Sequence, residues 1–187
     1  MPNWCDCDFS VRLPYEEANT EKVNKDEGIK ALKRFQKFAT TENSILDADK
    51  FIPYPQEFKD LDKKAAEYME KLKTLPGEIR KGMPPWIKDG FNSGGYQWCT
   101  ENWGTKWGIC NAALENTDFE YGEFEYIFDT AWAPPKPIIK KMSEMFPLLV
   151  FTLKYFESGM GFNGQYTCKN GKVIEDLSGN YFGSRGG

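Results

Sequence analysis

The feature that most constrains the fold is a strict alternation of apolar and polar side chains near the start of the chain. Every second residue from Cys5 to Leu13 is apolar, and polar or charged residues occupy the positions between them. Successive side chains of a β-strand point to opposite faces of a sheet, so this pattern is typical of a strand with one buried face. Cys5 and Cys7 fall in the buried set, where cysteine behaves as a small hydrophobic residue. We therefore expect packing, rather than metal or redox chemistry, from these two thiols.

Periodicity farther along the chain predicts three helices and several more strands. Apolar residues recur at helical spacing in the segments Glu27–Thr40, Asp60–Leu75 and Pro137–Phe146. β-rich or alternating segments predict strands at Lys106–Leu114, Gly122–Trp132 and Leu148–Phe156. Asn170-Gly171 is typical of a tight hairpin turn, here between Gln165–Cys168 and Lys172–Glu175.

Proline and glycine mark an insertion and a tail. Pro53 and Pro55 follow the first predicted helix and cannot continue it, and further Pro and Gly clusters occur before the tryptophan-rich segment. The region from about Lys50 to Thr100 is therefore predicted to be a helical and loop insertion. Residues 178–187 are glycine-rich and polar, so we expect them to fray.

The order strand, helix, insertion, strand, strand, helix, strand is the βαββαβ arrangement of ferredoxin-like folds. We predict one α+β domain over residues 1–187, with an antiparallel sheet of at least four strands and a C-terminal β-hairpin. The helices Glu27–Thr40 and Pro137–Phe146 should cover one face. The insertion between the first helix and the second strand should cover an edge or the other face.

Composition limits the function. The chain has 24 basic and 28 acidic side chains, a net charge of −4, which argues against broad binding to a phosphate backbone. It contains no histidine, which removes the commonest general base and most zinc sites. Five cysteines without CxxC spacing indicate reduced thiols, and neither a secretory signal nor a long apolar run is present, so we expect a cytoplasmic protein.

Several short motifs of the sequence resemble those of a known family. They are Met1-Pro2-Asn3-Trp4-Cys5, Phe51-Ile52-Pro53-Tyr54-Pro55, Asn102-Trp103-Gly104-Thr105-Lys106-Trp107, Phe128-Asp129-Thr130-Ala131-Trp132-Ala133-Pro134-Pro135, Phe146-Pro147, Tyr155-Phe156-Glu157 and Phe162-Asn163-Gly164. Through these motifs the chain resembles the YubB ferredoxin-like family over nearly its whole length. Two departures are Asp6-Cys7-Asp8 in place of a Glu-Asn pair and Gly108 in place of an aspartate.

The resemblance implies a ferredoxin-like fold and an origin in a phage, plasmid or other bacterial mobile element. The cytoplasm of a bacterial host is then the expected location. The resemblance carries over no catalytic residues, and the missing aspartate at Gly108 would weaken any ligand site that depended on it.

The segment Trp98–Trp107 holds three tryptophans, a glutamate and a lysine. Such a segment either enters the core or forms a surface that something else covers. As a binding surface, it would stack planar rings on indole faces and meet a phosphate with lysine. The candidate ligand-binding residues are Trp98, Glu101, Trp103, Lys106, Trp107, Trp132 and Glu157.

We therefore expect a non-enzymatic binding protein, without catalytic residues, metal or cofactor, whose partner is a nucleotide-like small molecule or a host protein. Such a protein would sequester a host signal or inhibit a host factor. One alternative is a single-stranded nucleic-acid-binding module that stacks bases on Tyr126, Phe128 and Tyr155. A more distant alternative is a metal-dependent enzyme that uses Glu101, Asp129 or Glu157, a set of carboxylates that would form a cluster if the fold brings them together.

Overall fold

The computed structural model describes residues 3–14, 24–74 and 87–180. The strands are β1 (Trp4–Arg12), β2 (Cys110–Asp118), β3 (Glu123–Ala131), β4 (Val150–Glu157), β5 (Phe162–Lys169) and β6 (Lys172–Asn180). The helices are α1 (Lys25–Ala39), α2 (Gln56–Lys73), α3 (Tyr96–Asn102) and α4 (Lys136–Met145), with a 3-10 turn at Ala48–Lys50 and a π-helical turn at Phe91–Gly95. No helix within these ranges has both the length and the apolar character needed to cross a bilayer.

The strands form an antiparallel sheet in the order β2-β3-β1-β4-β5-β6. With α1 and α4, the strands β1 to β4 make the βαββαβ unit of a ferredoxin-like fold. The β5–β6 hairpin extends the sheet beyond β4 and turns at Asn170 and Gly171, whose φ angles of 49° and 70° suit a type I′ turn. The predicted ferredoxin-like α+β fold with a C-terminal hairpin is confirmed.

β1 lies between β3 and β4 and supplies the centre of the core. Cys5, Cys7, Phe9 and Val11 are each at most 1% exposed, and the residues between them face the opposite side of the sheet. Cys7 is paired with residues of both neighbouring strands. The predicted alternation, and the assignment of the two thiols to the core, are confirmed.

The helices α1 and α4 cover the buried face of the sheet. α1 begins at Lys25, slightly before the predicted start, because the Asn24 side chain accepts a hydrogen bond from the Asp26 N–H at 3.0 Å. The ring of Phe35 on α1 contacts Phe124 on β3 and Phe151 on β4. α4 buries Ile138, Ile139 and Met142 against the same face. Both helices therefore lie on one side of the sheet, as predicted.

The insertion packs against the helix side of the domain and one end of the sheet. The Phe51 ring lies 5.6 Å from the Phe35 ring, centroid to centroid. The Asp62 carboxylate of α2 accepts hydrogen bonds from the N–H groups of Gly90 and Phe91 and so holds α2 on the π-helical turn. The rings of the insertion that join the core, such as Phe51, do so beside α1. The expectation that the insertion partly covers an edge or the other face of the sheet stays a prediction.

Several element boundaries also differ from prediction. α2 begins at Gln56, directly after Pro55, and β2 begins at Cys110 rather than Lys106, so Trp107 precedes the sheet. β6 extends to Asn180, which pairs with Phe162, so residues 178–180 are part of a strand and do not fray. The remainder of the predicted tail, and the Pro and Gly clusters of residues 75–86, lie outside the described residues.

Burial of the thiol of Cys99 makes the stability of the fold depend on pH. Burial raises the pKa of Cys99 from its ordinary value of 9.0 to about 11. The unfolded chain therefore releases this proton at a lower pH than the folded chain does. The stability that the buried, protonated Cys99 thiol contributes is fully present below pH 9 and is lost as the pH rises toward 11. Urea denaturation should therefore give a smaller free energy of unfolding at about pH 10.5 than at about pH 8.

The Cys99→Ala variant is the control for this prediction. Between about pH 8 and pH 10.5 its free energy of unfolding should fall by less than that of the native protein, because the thiol with the raised pKa is absent. An equal loss in the variant and the native protein would contradict the assignment to Cys99. The tyrosines Tyr54 and Tyr126, whose pKa values burial raises from 10.0 to about 12, begin to lose their contributions above about pH 10, so the comparison with Cys99→Ala is needed to isolate the share of Cys99.

Candidate ligand-binding site

The tryptophan segment consists of a short helix followed by an irregular turn. α3 carries Trp98 and Glu101, and the chain leaves it at Trp103. Gly104 has a φ of +77°, and a Cβ atom at this position would lie 2.7 Å from Cδ of Pro137. The Thr105 hydroxyl then donates to the carbonyl of Ala131 at 2.8 Å. These contacts bring Lys106 to the end of β3, next to Trp132.

Two of the indoles belong to the core. Trp103 is 7% exposed, and its ring N–H donates to the carbonyl of Ile52 at 2.8 Å. Its ring contacts Trp98 at 5.3 Å and Tyr54 at 5.6 Å between centroids. For Trp98 and Trp103 the structure favours the core interpretation, in which these rings fix the insertion to the rest of the domain.

Lys106 lies among three aromatic rings at the surface. Its Nζ atom is 5.1 Å from the ring centroid of Trp107, 5.7 Å from that of Trp132 and 5.9 Å from that of Tyr96. These distances are those of cation–π contacts. Trp132 and Tyr96 are each 49% exposed. We call Lys106 with these three rings the aromatic cage.

A cavity of about 460 Å³ adjoins the cage. Its lining residues are Phe91, Asn92, Gly94, Tyr96, Gln97 and Lys106. Hydrogen bonds from the backbone and side chain of Asn92 to Asp89 hold the rim of this cavity and keep the pKa of Asp89 below its usual value. Among the lining residues, Lys106 alone carries a charge.

Trp132 has an unusual backbone conformation for a bulky residue. Its φ is +76°, in the left-handed region that residues other than glycine rarely adopt. Its N–H donates to the carbonyl of Asn3 at 3.0 Å, which fixes this conformation. Strain of this kind costs about 1–3 kcal/mol and clusters at binding and catalytic sites. Here it places a half-exposed indole beside the Lys106 amine.

The two predicted glutamates do not join the cage through any contact. Glu101 is exposed and accepts a hydrogen bond from the Gln97 side chain at 2.8 Å. Glu157 is 1% exposed and accepts from the N–H groups of Gly159 at 2.9 Å and Met160 at 2.5 Å. Glu157 therefore closes the turn after β4 and has a structural role.

The carboxylates of the enzyme alternative do not form a metal site. Asp129 accepts from the Asn111 side chain at 2.9 Å, whereas Glu101 and Glu157 have the separate partners given above. Within the residues that the structure describes, no group of three or more His, Cys, Asp or Glu side chains could hold a metal ion. The choice of Glu101, Asp129 and Glu157 as a ligand set is therefore wrong.

The stacking residues of the nucleic-acid alternative are also placed differently. Tyr126 and Tyr155 are 1% exposed and Phe128 is 3% exposed, because their side chains face the helices. The faces of these rings are therefore covered by the core, and no base can stack on them. The opposite face of the sheet is largely polar, and several carboxylates line its shallow depressions, including Glu123, Glu125 and Glu175. Tyr126, Phe128 and Tyr155 are core residues, and their assignment as a stacking surface is wrong.

Sequence reasoning missed three aromatic residues next to Lys106. Tyr96 belongs to the cage, while Phe91 and Trp4 contact the Trp107 ring at 6.2 Å and 6.1 Å between centroids. For Trp4 the sequence does hold a signal of an exposed ring, because Trp4 falls on the polar positions of the β1 alternation and therefore points away from the core. No pattern in the sequence predicts that Phe91 and Tyr96 lie near Lys106, because their position depends on the path of the folded insertion.

Substitutions at two tryptophans should separate scaffold from site. Trp103→Ala removes a buried ring and its hydrogen bond, so it should lower the free energy of unfolding by about 3–5 kcal/mol in urea denaturation. Trp132→Gly should be more stable than Trp132→Ala by about 1 kcal/mol, because glycine adopts positive φ without strain. Equal stability of these two Trp132 variants would show that position 132 is not strained.

The match to a family model agrees with the fold. Residues 103–183, which include Lys106, Trp107 and Trp132, match the family model described as the ferredoxin-like domain in Api92-like protein. A similar solved structure is the crystal structure of protein api92 from Yersinia pseudotuberculosis, with 11% sequence identity, a TM-score of 0.48 and coverage of 98% of this chain and 99% of that chain. No curated protein matches the sequence. The YubB name is not confirmed, and the C-terminal part of the chain is similar to the ferredoxin-like domain of Api92-like proteins.

Proposed function

We propose that this chain is a non-enzymatic binding protein that takes a nucleotide-like small molecule, a planar ring system with a phosphate, at the aromatic cage. The observation that carries the proposal is the position of the Lys106 amine over three aromatic rings and beside the 460 Å³ cavity. A cavity of this size is typical of small-molecule sites.

The chemistry of the cage suits both parts of such a ligand. Stacking of a base on an aromatic side chain contributes about 1–3 kcal/mol, and Trp132 and Tyr96 are half exposed. The lysine ammonium is a compact charge that pairs with phosphate. Lys106 is the charged residue of the cavity lining, so it is the group there that can pair with a phosphate. The neighbouring carboxylates of Asp89 and Glu101 accept hydrogen bonds from the side chains of Asn92 and Gln97. The amides of Asn92 and Gln97 at the rim supply hydrogen-bonding groups for the edge of a base.

The same residues argue for binding without catalysis. The lining of the cavity offers one lysine, one tyrosine and two amides, and the chain has no histidine. No nucleophile with an adjacent general base is present among these residues. Sequestering a host nucleotide signal requires affinity and not turnover, which fits the accessory role in a mobile element that the family resemblance implies. The cytoplasm of a bacterial host is where such a ligand would be met.

Substitution of Lys106 tests the proposal directly. Lys106→Met keeps the length of the side chain and removes its charge, so it should weaken binding of a nucleotide about tenfold or more. Its free energy of unfolding should change by no more than about 1 kcal/mol, the size of cation–π contacts at exposed sites. Nucleoside mono-, di- and triphosphates and cyclic nucleotides would be titrated against tryptophan fluorescence, with thermal unfolding measured in parallel.

Lys64→Met on the exposed side of α2 is the matched control and should bind as the native protein does. If no nucleotide binds the native protein, and a host protein instead co-purifies in a manner that depends on Trp132, the cage is a protein-binding surface. If Lys106→Met binds nucleotides as tightly as the native protein, the ligand lies elsewhere. Either outcome would overturn the proposal.

A further inference from the structure

A second cavity lies between α1 and the edge strand β2. It has a volume of about 350 Å³. Ile45, Leu114 and Tyr126 give it apolar walls, and Lys33, Gln36 and Lys37 of α1 line its polar side. We call this cavity the α1–β2 groove. None of these residues belongs to the aromatic cage.

The hydroxyl of Tyr126 has no structural partner in the described part of the chain. It is buried, and the structure gives it no hydrogen bond. Tyr126 is 1% exposed, and its side chain lies on the helix side of β3, as the groove does. Buried hydroxyl groups are nearly always hydrogen-bonded, so an unpaired one indicates a missing partner. Burial raises the pKa of Tyr126 to about 12, so near neutral pH the group is a proton donor.

The two lysines of the groove stand one helical turn apart on α1. Like charges at this spacing repel each other. Neither lysine forms an ion pair with a described residue, although Lys33 lies over the Phe119 ring at 5.4 Å. Lys37 also lies in the last turn of α1, where a positive charge favours the helix dipole. The helix dipole accounts for Lys37 and the Phe119 ring for Lys33, whereas the Tyr126 hydroxyl has no partner among the described residues.

β2 is irregular at this point. Its register with β3 shifts between Leu114 and Asn116, and Leu114 remains 37% exposed opposite Tyr126. Such irregularities redirect side chains and occur frequently beside functional sites. The shift leaves an apolar wall that α1 does not cover.

We propose that the α1–β2 groove binds a small organic anion, an apolar body that carries a carboxylate or a phosphate. The apolar part would lie against Ile45 and Leu114. The anionic oxygens would accept a hydrogen bond from the Tyr126 hydroxyl and pair with the amines of Lys33 and Lys37. No carboxylate lines the groove, so nothing there repels the anion.

Tyr126→Phe is the sharpest test, because it deletes only the hydroxyl. Octanoate and octyl phosphate, neither of which carries the planar ring proposed for the aromatic cage, serve as probes in isothermal titration calorimetry on the full chain. The native protein should bind at least one of them, and Tyr126→Phe should weaken that binding about fivefold or more. The urea midpoint of Tyr126→Phe should be unchanged or higher, because an unpaired buried hydroxyl does not stabilise the fold.

Charge variants on α1 complete the experiment. The double variant Lys33→Gln, Lys37→Gln should weaken the same probe about tenfold or more. Lys30→Gln, a surface lysine of the same helix that does not line the groove, should bind as the native protein does. Lys106→Met should also leave this binding unchanged, which keeps the result independent of the aromatic cage. Preference for one probe would identify the anionic group.

Three results would overturn the proposal. The first is that neither probe binds the native protein at millimolar concentration. The second is that the Tyr126 and lysine variants bind as tightly as the native protein. The third is that Tyr126→Phe lowers the urea midpoint and leaves the affinity unchanged, which would give the hydroxyl a structural role.

Discussion

The structure depends first on the position of β1 in the middle of the sheet. β1 pairs with β3 on one side and β4 on the other, and its Phe9 ring contacts Tyr126 and Phe128 on β3 and Phe151 on β4. A slip of one residue would move Phe9 and the rest of the buried set to the polar face. The alternation in β1 therefore fixes the register of three strands and decides on which side α1 and α4 must pack. With that side decided, the carboxylates of the opposite face stay in contact with water.

Both candidate sites lie where this central packing ends. The helix layer covers the middle strands, whereas β2 at the edge keeps Leu114 partly exposed beside α1, and the α1–β2 groove results. At one end of the sheet, the start of β1 and the end of β3 lie side by side, since Trp4 is paired with Ala131. The chain after α3 joins that end through Thr105. The cage therefore stands on strand ends that the core holds in place, which limits the entropy lost when a ligand binds.

The fold could be predicted from the sequence because the periodicity and turn motifs that define it are local. Alternation in β1, helical spacing in α1 and α4, and the Asn170-Gly171 turn each report a short-range preference, and their order predicts the ferredoxin-like topology. Alternation in β3 places Tyr126 on the apolar face, which the helices cover. Its wrong assignment to a stacking surface comes from the analogy with RNA-binding domains of this topology and not from the pattern. The partners of Lys106 were only partly predictable. Trp107 adjoins Lys106 in sequence, and Trp132 belongs to an aromatic motif among the predicted ligand-binding residues. Tyr96 approaches Lys106 only through the folded insertion.

Trp103 and Lys106 lie in one short segment, in which Trp103 belongs to the core and Lys106 lies against the rings of the aromatic cage. Trp103 is fixed by its hydrogen bond to Ile52, and Thr105 is fixed by its hydrogen bond to Ala131, so the Gly104 turn between them has little freedom. Close contact with Pro137 excludes any larger residue at Gly104. Lys106 therefore projects from a rigid support toward rings that have few rotamers of their own. Positive φ at Trp132 adds a cost that a purely structural indole would not require, since a glycine there would hold the same turn without strain. Under the proposed function, a stacking surface accounts for a large aromatic side chain at this strained position.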